Sequence, residues 1–316
     1  MLAGPPPKHD RQRTLQTHRL TLTPEPATML TQTRHLCFLL VWMLSLILFW
    51  VPLAALVNLS GHDARYSHIV LIPFISACLI YWKRKRIFVG DRWRPSVGVP
   101  LLVTGAVLYC VGHLSFLIPS DALCLVVFAI VVMWAAAFVL CYGPRPSKAA
   151  LFPLLFLLLF VPAPNGLLDS VIVALQRGSA EMTQVLFAAC GMPAFREGFR
   201  FSLPGVTIEI AKECSSIRSG TALFITGLLA GYAFIRSPWR RACLSALTIP
   251  IAMFTNAVRI VTLSWLTVHV DRGYLYGNLH HSGGALFSLI SVAALIIALV
   301  VLSEERLRRP GSLSRG

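Results

Sequence analysis

Arg196 to Gly220 reads REGFRFSLPGVTIEIAKECSSIRSG. The stretch lies between long apolar runs and differs from them. Two short alternating pieces flank Leu203-Pro204-Gly205, and Val206, Ile208 and Ile210 recur with the period of a strand. Pro204-Gly205 marks the turn between the pieces. Cys214 follows at once, and the chain then enters an apolar helix through Ser215, Ser216, Ile217 and Arg218. The expectation is a hairpin that delivers a thiol to the mouth of a membrane helix.

Outward from this stretch the chain is strongly apolar. Of its 316 residues 56% are apolar and 13% charged, with mean hydropathy +0.71, whereas a soluble domain carries about 25% charged residues. Runs of about 20 apolar residues recur, each long enough for a ~30 Å hydrocarbon core. They are continuous rather than alternating, so helices and not a barrel satisfy the backbone in lipid. The net charge of +15 is a nucleic-acid signal in a soluble protein. In a membrane protein it is what the cytoplasmic loops collect. Most of the eight cysteines fall inside apolar runs, where cysteine is a small hydrophobe. No CxxC pair occurs, so neither a zinc site nor a thioredoxin-like motif is indicated.

The expected fold class is an all-α polytopic membrane protein of about eight transmembrane helices. The spans are about Leu36–Val57, Ile69–Trp82, Val97–Ile118, Leu123–Tyr142, Ala149–Val161, Ile217–Ile235, Cys243–Val268 and Gly283–Leu302. Residues 165–195 carry Asp169, Gln176, Arg177, Glu181 and Gln184 among apolar residues. That pattern is an amphipathic helix at the membrane interface. It faces outward and precedes the hairpin and span six. Residues 1–35 read as a disordered cytoplasmic segment, 36–303 as a single transmembrane domain and 304–316 as a basic cytoplasmic tail. With the N-terminus inside, the cytoplasmic segments hold 20 of the 28 Lys and Arg residues and the outer segments 6. This split places both termini in the cytoplasm and residues 165–214 on the outer face of the cell membrane.

On that topology three polar features reach one surface. Cys214 sits just before span six, where a helix N-terminus and the cation of Arg218 one turn on both lower a thiol pKa. Cys190 is also outside, so a Cys190–Cys214 disulfide is the structural alternative. Arg259 lies about 16 residues into span seven, roughly 24 Å along it. A charge inside a span costs about 2.5–3.5 kcal/mol on insertion scales and points to function; snorkelling to headgroups is the alternative. Asn256 is one turn deeper on the same face and in position to hold the guanidinium. His280 and His281 sit at the outer start of span eight. They read either as an interfacial polar pair or as general acid and base beside a thiol. His269 and Asp271 in the same loop are weaker candidates.

At these residues the chain resembles the exosortase/archaeosortase family of membrane cysteine transpeptidases. Glu213-Cys214-Ser215-Ser216-Ile217-Arg218-Ser219 is similar to the family's C-S-G-I-R-S. Asn256-Ala-Val-Arg259 is similar to its N-x-x-R, and His280-x-x-x-Gly284 to its H-x-x-x-G. Pro162-Ala-Pro164 and the lead-in from Arg196 to Gly205 match as well. Two positions depart from the pattern: Ser216 stands where glycine is usual, and Ala285 replaces a frequent tryptophan. The resemblance implies Cys214 as nucleophile, with Arg259 and His280 completing the site, Asn256 and Arg218 in support and His281 as the alternative register. It implies proteolysis and protein sorting at the cell (inner) membrane. The substrates are exported proteins ending in a short motif of PEP-CTERM type, a transmembrane helix and a basic tail. Membrane lipid is the other partner; no nucleic acid, metal or organic cofactor is expected. Two other classes compete. A transporter or channel would use Arg259 and Asn256 along an anion path, but spans one to five carry almost no polar groups. A non-catalytic factor for exported polysaccharide assembly is opposed by the intact triad.

Overall fold

The computed structural model describes residues 26–89, 95–114, 118–210, 217–270 and 284–303. They are mostly α-helical, with one three-stranded sheet. They fall into two compact units, one within Met1–His62 and Ile69–Pro162, the other within Asp63–His68 and Ala163–Gly316.

In the first unit α1 (Pro26–Leu48) begins ten residues before the expected first span. A 76° bend separates Gln32–Leu48 from α2 (Trp50–His62). Pro52 accounts for it: proline offers no N–H to the carbonyl four residues back, here Leu48, and its ring clashes there. Then come α3 (Leu71–Trp82), the short α4 (Arg84–Ile87), α5 (Pro95–Gly112) and α6 (Pro119–Tyr142). After α7 (Pro144–Ala149), α8 (Leu151–Phe156) tightens into a 3-10 turn over Leu157–Phe160.

The tightest packing in this unit is between α5 and α6. Gly98 lies against Leu140, Gly105 against Met133 and Gly112 against Val126, so the two helices run antiparallel. A Cβ at any of these glycines would stand 2.5–2.6 Å from a side-chain carbon of α6. Lipid offers helices no hydrophobic reason to associate, so close approach along small residues carries the packing. Two hydroxyls pin other elements. Trp134 Nε1 donates to Ser45 Oγ at 2.8 Å, and Ser76 Oγ donates to the Pro153 carbonyl at 2.8 Å.

The second unit opens with a 3-10 turn, Ala64–Tyr66, capped by Asp63. A hydrogen-bonded ion pair with Arg65 holds the Asp63 carboxyl below the usual carboxylate range. The segment read as amphipathic is one 25-residue helix, α9 (Asn165–Ala189). Its faces divide in part as the pattern requires: Asp169, Arg177, Glu181 and Gln184 are exposed and Leu168, Ile172, Leu175 and Phe187 are buried, but Gln176, read with the polar residues, is buried too, beside Ser179 and Thr183. The buried face packs on protein. Gly178 sits on the Met253 side chain.

Strands β1 (Phe195–Glu197), β2 (Arg200–Leu203) and β3 (Val206–Glu209) form an antiparallel sheet in sequence order. The hairpin around Pro204-Gly205 is as expected, with Leu203 opposite Val206 and Gly205 at φ +77°. That left-handed conformation is free for glycine and costly for other residues. The strand β1 is additional; three residues are too few to show an alternating pattern. Arg200 and Glu209, directly opposite each other, form an exposed ion pair at 2.9 Å.

Three helices complete the unit: α10 (Ile217–Phe234), α11 (Pro238–His269) and α12 (Gly284–Ser303). The α10–α11 pair is antiparallel, since Gly220 meets Ala252, Gly227 meets Thr248 and Gly231 meets Arg241. So is α11–α12: Ser291 Oγ donates to Thr255 Oγ1 at 2.8 Å near one end, and Arg240 Nη1 donates to the Leu302 carbonyl at 3.3 Å near the other.

Five described helices are long and apolar enough to cross a membrane. The number rises to seven if each of two interrupted pairs counts as one span: Gln32–Leu48 with Trp50–His62, and Leu151–Phe160 with Asn165–Ala189. The expected eight is not reached among the described residues. The apolar helix Ser96–Gly112 is shorter than the others, and Pro162 to Pro164 interrupt the chain after Leu151–Phe160.

Candidate functional site

Sequence reasoning places its nucleophile just after β3, and the structure shows how that point of the chain is held. The Ile210 side chain is 2% exposed, in a core with Phe187, Phe201, Leu203 and, from α11, Ile260 and Val261. Phe187 and Phe201 meet edge to face, ring centroids 5.5 Å apart. The Ile210 N–H donates to the Phe199 carbonyl at 3.0 Å. The Ile210 carbonyl accepts from Gln176 Nε2 of α9 at 2.8 Å. Side chain, amide and carbonyl of this residue are thus all fixed, four positions before Cys214.

Asn256 and Arg259 lie on α11 three residues apart, on one side of the helix. Asn256 is buried at 4% exposure and Arg259 is half-buried; both engage neighbours. Helix register gives their level. Gly220 meets Ala252, and Ile217, the first residue of α10, lies three residues further out. Arg259 lies seven residues beyond Ala252, so it stands about 6 Å past the start of α10 at ~1.5 Å per residue. Ser291 meets Thr255, and from that contact, in the same direction, Gly284 is seven residues along α12 while Arg259 is four along α11. The start of α12 therefore stands about 4–5 Å beyond Arg259. Measured along α11, the arginine is level with the starts of both neighbouring helices, to within about one turn.

The remaining site residues divide as follows. Arg218, the second residue of α10, is exposed. Cys214, His280 and His281 lie outside the described residues, as does Asp271. His269 ends α11, exposed and stacked on Trp265. Cys190 is an exposed free thiol just past α9. Among the described residues no group of three His, Cys, Asp or Glu side chains converges as a metal site. Two features were not legible as site elements: Gln176, whose partner is 34 residues away, and the Ser291–Thr255 bond, whose members look like ordinary hydroxyls in apolar helices.

These features define a polytopic helical membrane protein. A small sheet precedes the helix that follows Cys214, and a polar pair on an adjacent span stands level with that helix's start. The family model of the transmembrane exosortase (Exosortase_EpsH) matches residues 57–297, most of the chain, and the protein belongs to that family. No curated protein and no solved structure matches it significantly.

Proposed function

We propose that the protein is a membrane cysteine peptidase or transpeptidase acting on exported proteins that end in a short motif, a single transmembrane helix and a basic tail. The observation that carries this reading is the placement of Asn256 and Arg259. A buried amide and a half-buried guanidinium stand on one side of α11, level with the helix start that follows Cys214 and the one that follows His280. A guanidinium there serves catalysis better than packing, because partial desolvation strengthens its hydrogen bonds to developing negative charge.

In this reading the Cys214 thiolate adds to the substrate carbonyl carbon, and Arg259 donates hydrogen bonds to the oxygen as it becomes anionic. The C–N bond breaks, and His280, as imidazolium, gives its proton to the leaving amine. A Cys214 thioester remains. An acceptor amine or water then adds to it, gives up a proton to His280, and expels the thiolate. Asn256 orients the guanidinium, Arg218 and the start of α10 hold the thiol as thiolate, and His281 is the alternative base. The active site faces the outer side of the cell membrane, both termini are cytoplasmic, and the chain crosses the membrane eight times.

The test is co-expression with a secreted reporter carrying such a C-terminal signal. Cys214→Ala should abolish processing while the protein accumulates normally in membranes, and Cys190→Ala should process the reporter. Equal behaviour of the two variants would instead support a structural role for both cysteines and defeat the reading.

A further inference from the structure

We infer that the outer edge of β3 is the substrate-docking strand: an extended segment of the exported protein pairs with it, in parallel, and is led along it toward Cys214. The inference rests on the peptidase reading above and adds where the substrate backbone is held. The direction of the β3 amides follows from the ladder. In an antiparallel pair, residues that exchange hydrogen bonds alternate with residues whose N–H and C=O point the other way. The Ile210 N–H donates to the Phe199 carbonyl, which fixes the phase. Counting back along the register, Ile208 and Val206 also face β2, opposite Phe201 and Leu203. Thr207 and Glu209 therefore direct their N–H and C=O groups away from β2. Among the described residues the sheet has three strands, β3 is an outer one, and Thr207 and Glu209 are exposed. The outer edge thus presents two donors and two acceptors on a four-residue strand, about 13 Å long.

The place of β3 in the chain selects this edge and its occupant. The strand runs from the exposed Pro204-Gly205 turn to buried Ile210, in the core that also holds Ile260, the residue after Arg259. Cys214 follows Glu209 by five residues. A substrate whose body is outside and whose next segment is a transmembrane helix runs the same way, so its strand lies parallel to β3. The other outer strand, β1, is tied back instead: Arg196 donates to Gln184 of α9 at 3.0 Å and to the Gly198 carbonyl at 2.9 Å. The inner end of β3 is already fixed through the Ile210 amide and carbonyl. An incoming peptide therefore has to order only itself, which lowers the cost of binding. In a parallel ladder the substrate residue beside Ile208 donates its N–H to the Thr207 carbonyl and accepts from the Glu209 N–H. The residue two before it accepts from the Thr207 N–H, and the residue two after it donates to the Glu209 carbonyl. The two residues between turn their N–H groups away, so proline fits there and not at the central position. Main-chain bonds of this kind hold any extended peptide, and alternate side chains select among peptides.

The experiment is disulfide trapping in the full-length protein in membranes, with Cys190→Ala and Cys214→Ala in place and either Thr207→Cys or Glu209→Cys added. It is co-expressed with the secreted reporter, which carries single cysteines at successive positions of its C-terminal signal. Copper-phenanthroline oxidation should trap every second reporter position. The trapped set should move two residues toward the reporter C-terminus when the cysteine moves from 207 to 209. In the otherwise unmodified protein, Thr207→Pro removes one edge donor and spares the ladder to β2, since its N–H faces outward. It should raise KM for the reporter roughly two- to twelve-fold with kcat little changed, the worth of one main-chain hydrogen bond. With a reporter that the unmodified protein cleaves, no trapping, or trapping without the two-residue period, would overturn the docking strand and leave the peptidase reading standing. An unchanged KM in Thr207→Pro would remove the Thr207 bond, and a shift in the opposite direction would overturn the parallel pairing. Thr207 and Glu209 amides protected from hydrogen exchange without substrate would assign the edge to the protein's own chain and overturn the inference. A reporter that the unmodified protein leaves intact would defeat the peptidase reading and this inference together.

Discussion

Gln176 and Ile210, 34 residues apart, are joined by a buried 2.8 Å hydrogen bond from the Gln176 side-chain amide to the Ile210 carbonyl. The bond ties α9 to the last residue of the chain before the Cys214 segment. An unmatched buried acceptor costs about 1–3 kcal/mol. Gln176→Leu keeps similar bulk and removes the donor. It should slow reporter processing several-fold at matched protein levels, and should alter the rate at which a maleimide alkylates Cys214. Unchanged processing and alkylation would show that the end of β3 is held without this bond.

The register of α11 and α12 rests on Ser291 and Thr255. Each hydroxyl also has a carbonyl acceptor in its own helix, Ile251 for Thr255 at 2.8 Å and Phe287 for Ser291 at 3.2 Å, so removing either partner costs the one shared interhelical bond, and removing both costs that bond only once. Ser291→Ala and Thr255→Val should each lower the unfolding midpoint in detergent, and the double variant should lose less than the sum of the two. Interaction energies between touching residues run about 0.5–3 kcal/mol. Strict additivity would mean that the two hydroxyls do not support each other.

Gly105 tests the α5–α6 packing. A Cβ there would meet Met133 Cγ at 2.6 Å and the Ala129 carbonyl oxygen at 3.2 Å, and the latter cannot retreat without moving helix backbone. Gly105→Leu should destabilise by about 1–3 kcal/mol or more, the cost of overpacking. Gly61 has nothing within 4 Å of the corresponding position, so Gly61→Leu should be tolerated. Thermal aggregation of the two detergent-solubilised variants compares them directly. Equal stability would show that α5 shifts freely along α6.

The contrast between these positions shows what the sequence makes readable. Pro204-Gly205 specifies its turn locally, and the apolar-polar alternation of α9 specifies which face is buried, so both are legible without tertiary information. The spacing of Asn256 and Arg259 likewise puts them on one side of any helix. The glycines at 98, 105 and 112 repeat every seven residues, but a glycine in an apolar run becomes an interface only when the partner is known. Gln176 reads as one more polar residue of an amphipathic helix, because nothing local announces a carbonyl 34 residues on. The bend after Leu48 follows from Pro52 in retrospect. An expected span of 22 residues, Leu36–Val57, concealed it, since transmembrane helices tolerate an interior proline. Of the triad itself only Arg259 lies among the described residues.

Arg259 carries the sharpest remaining distinction. It is half-buried, three residues beyond buried Asn256, and level with the starts of α10 and α12. Lysine keeps the charge and loses the planar fork of donors. If the guanidinium makes directed hydrogen bonds to an oxyanion, Arg259→Lys should remain about 10²–10³-fold impaired in processing rate, the usual cost of one such donor. If the side chain only reaches lipid phosphates, Arg259→Lys should process normally, because an ammonium snorkels as well. Asn256→Ala should fall between, since it frees the guanidinium without removing it; Asn256→Asp keeps an acceptor for the guanidinium and should retain more activity than Asn256→Ala. For the histidines, spacing to Gly284 favours His280, so His280→Ala should lose turnover and His281→Ala should retain most of it. Rates in membranes at matched protein levels decide each point. An active Arg259→Lys would remove the oxyanion role, and an inactive His281→Ala beside an active His280→Ala would reverse the register.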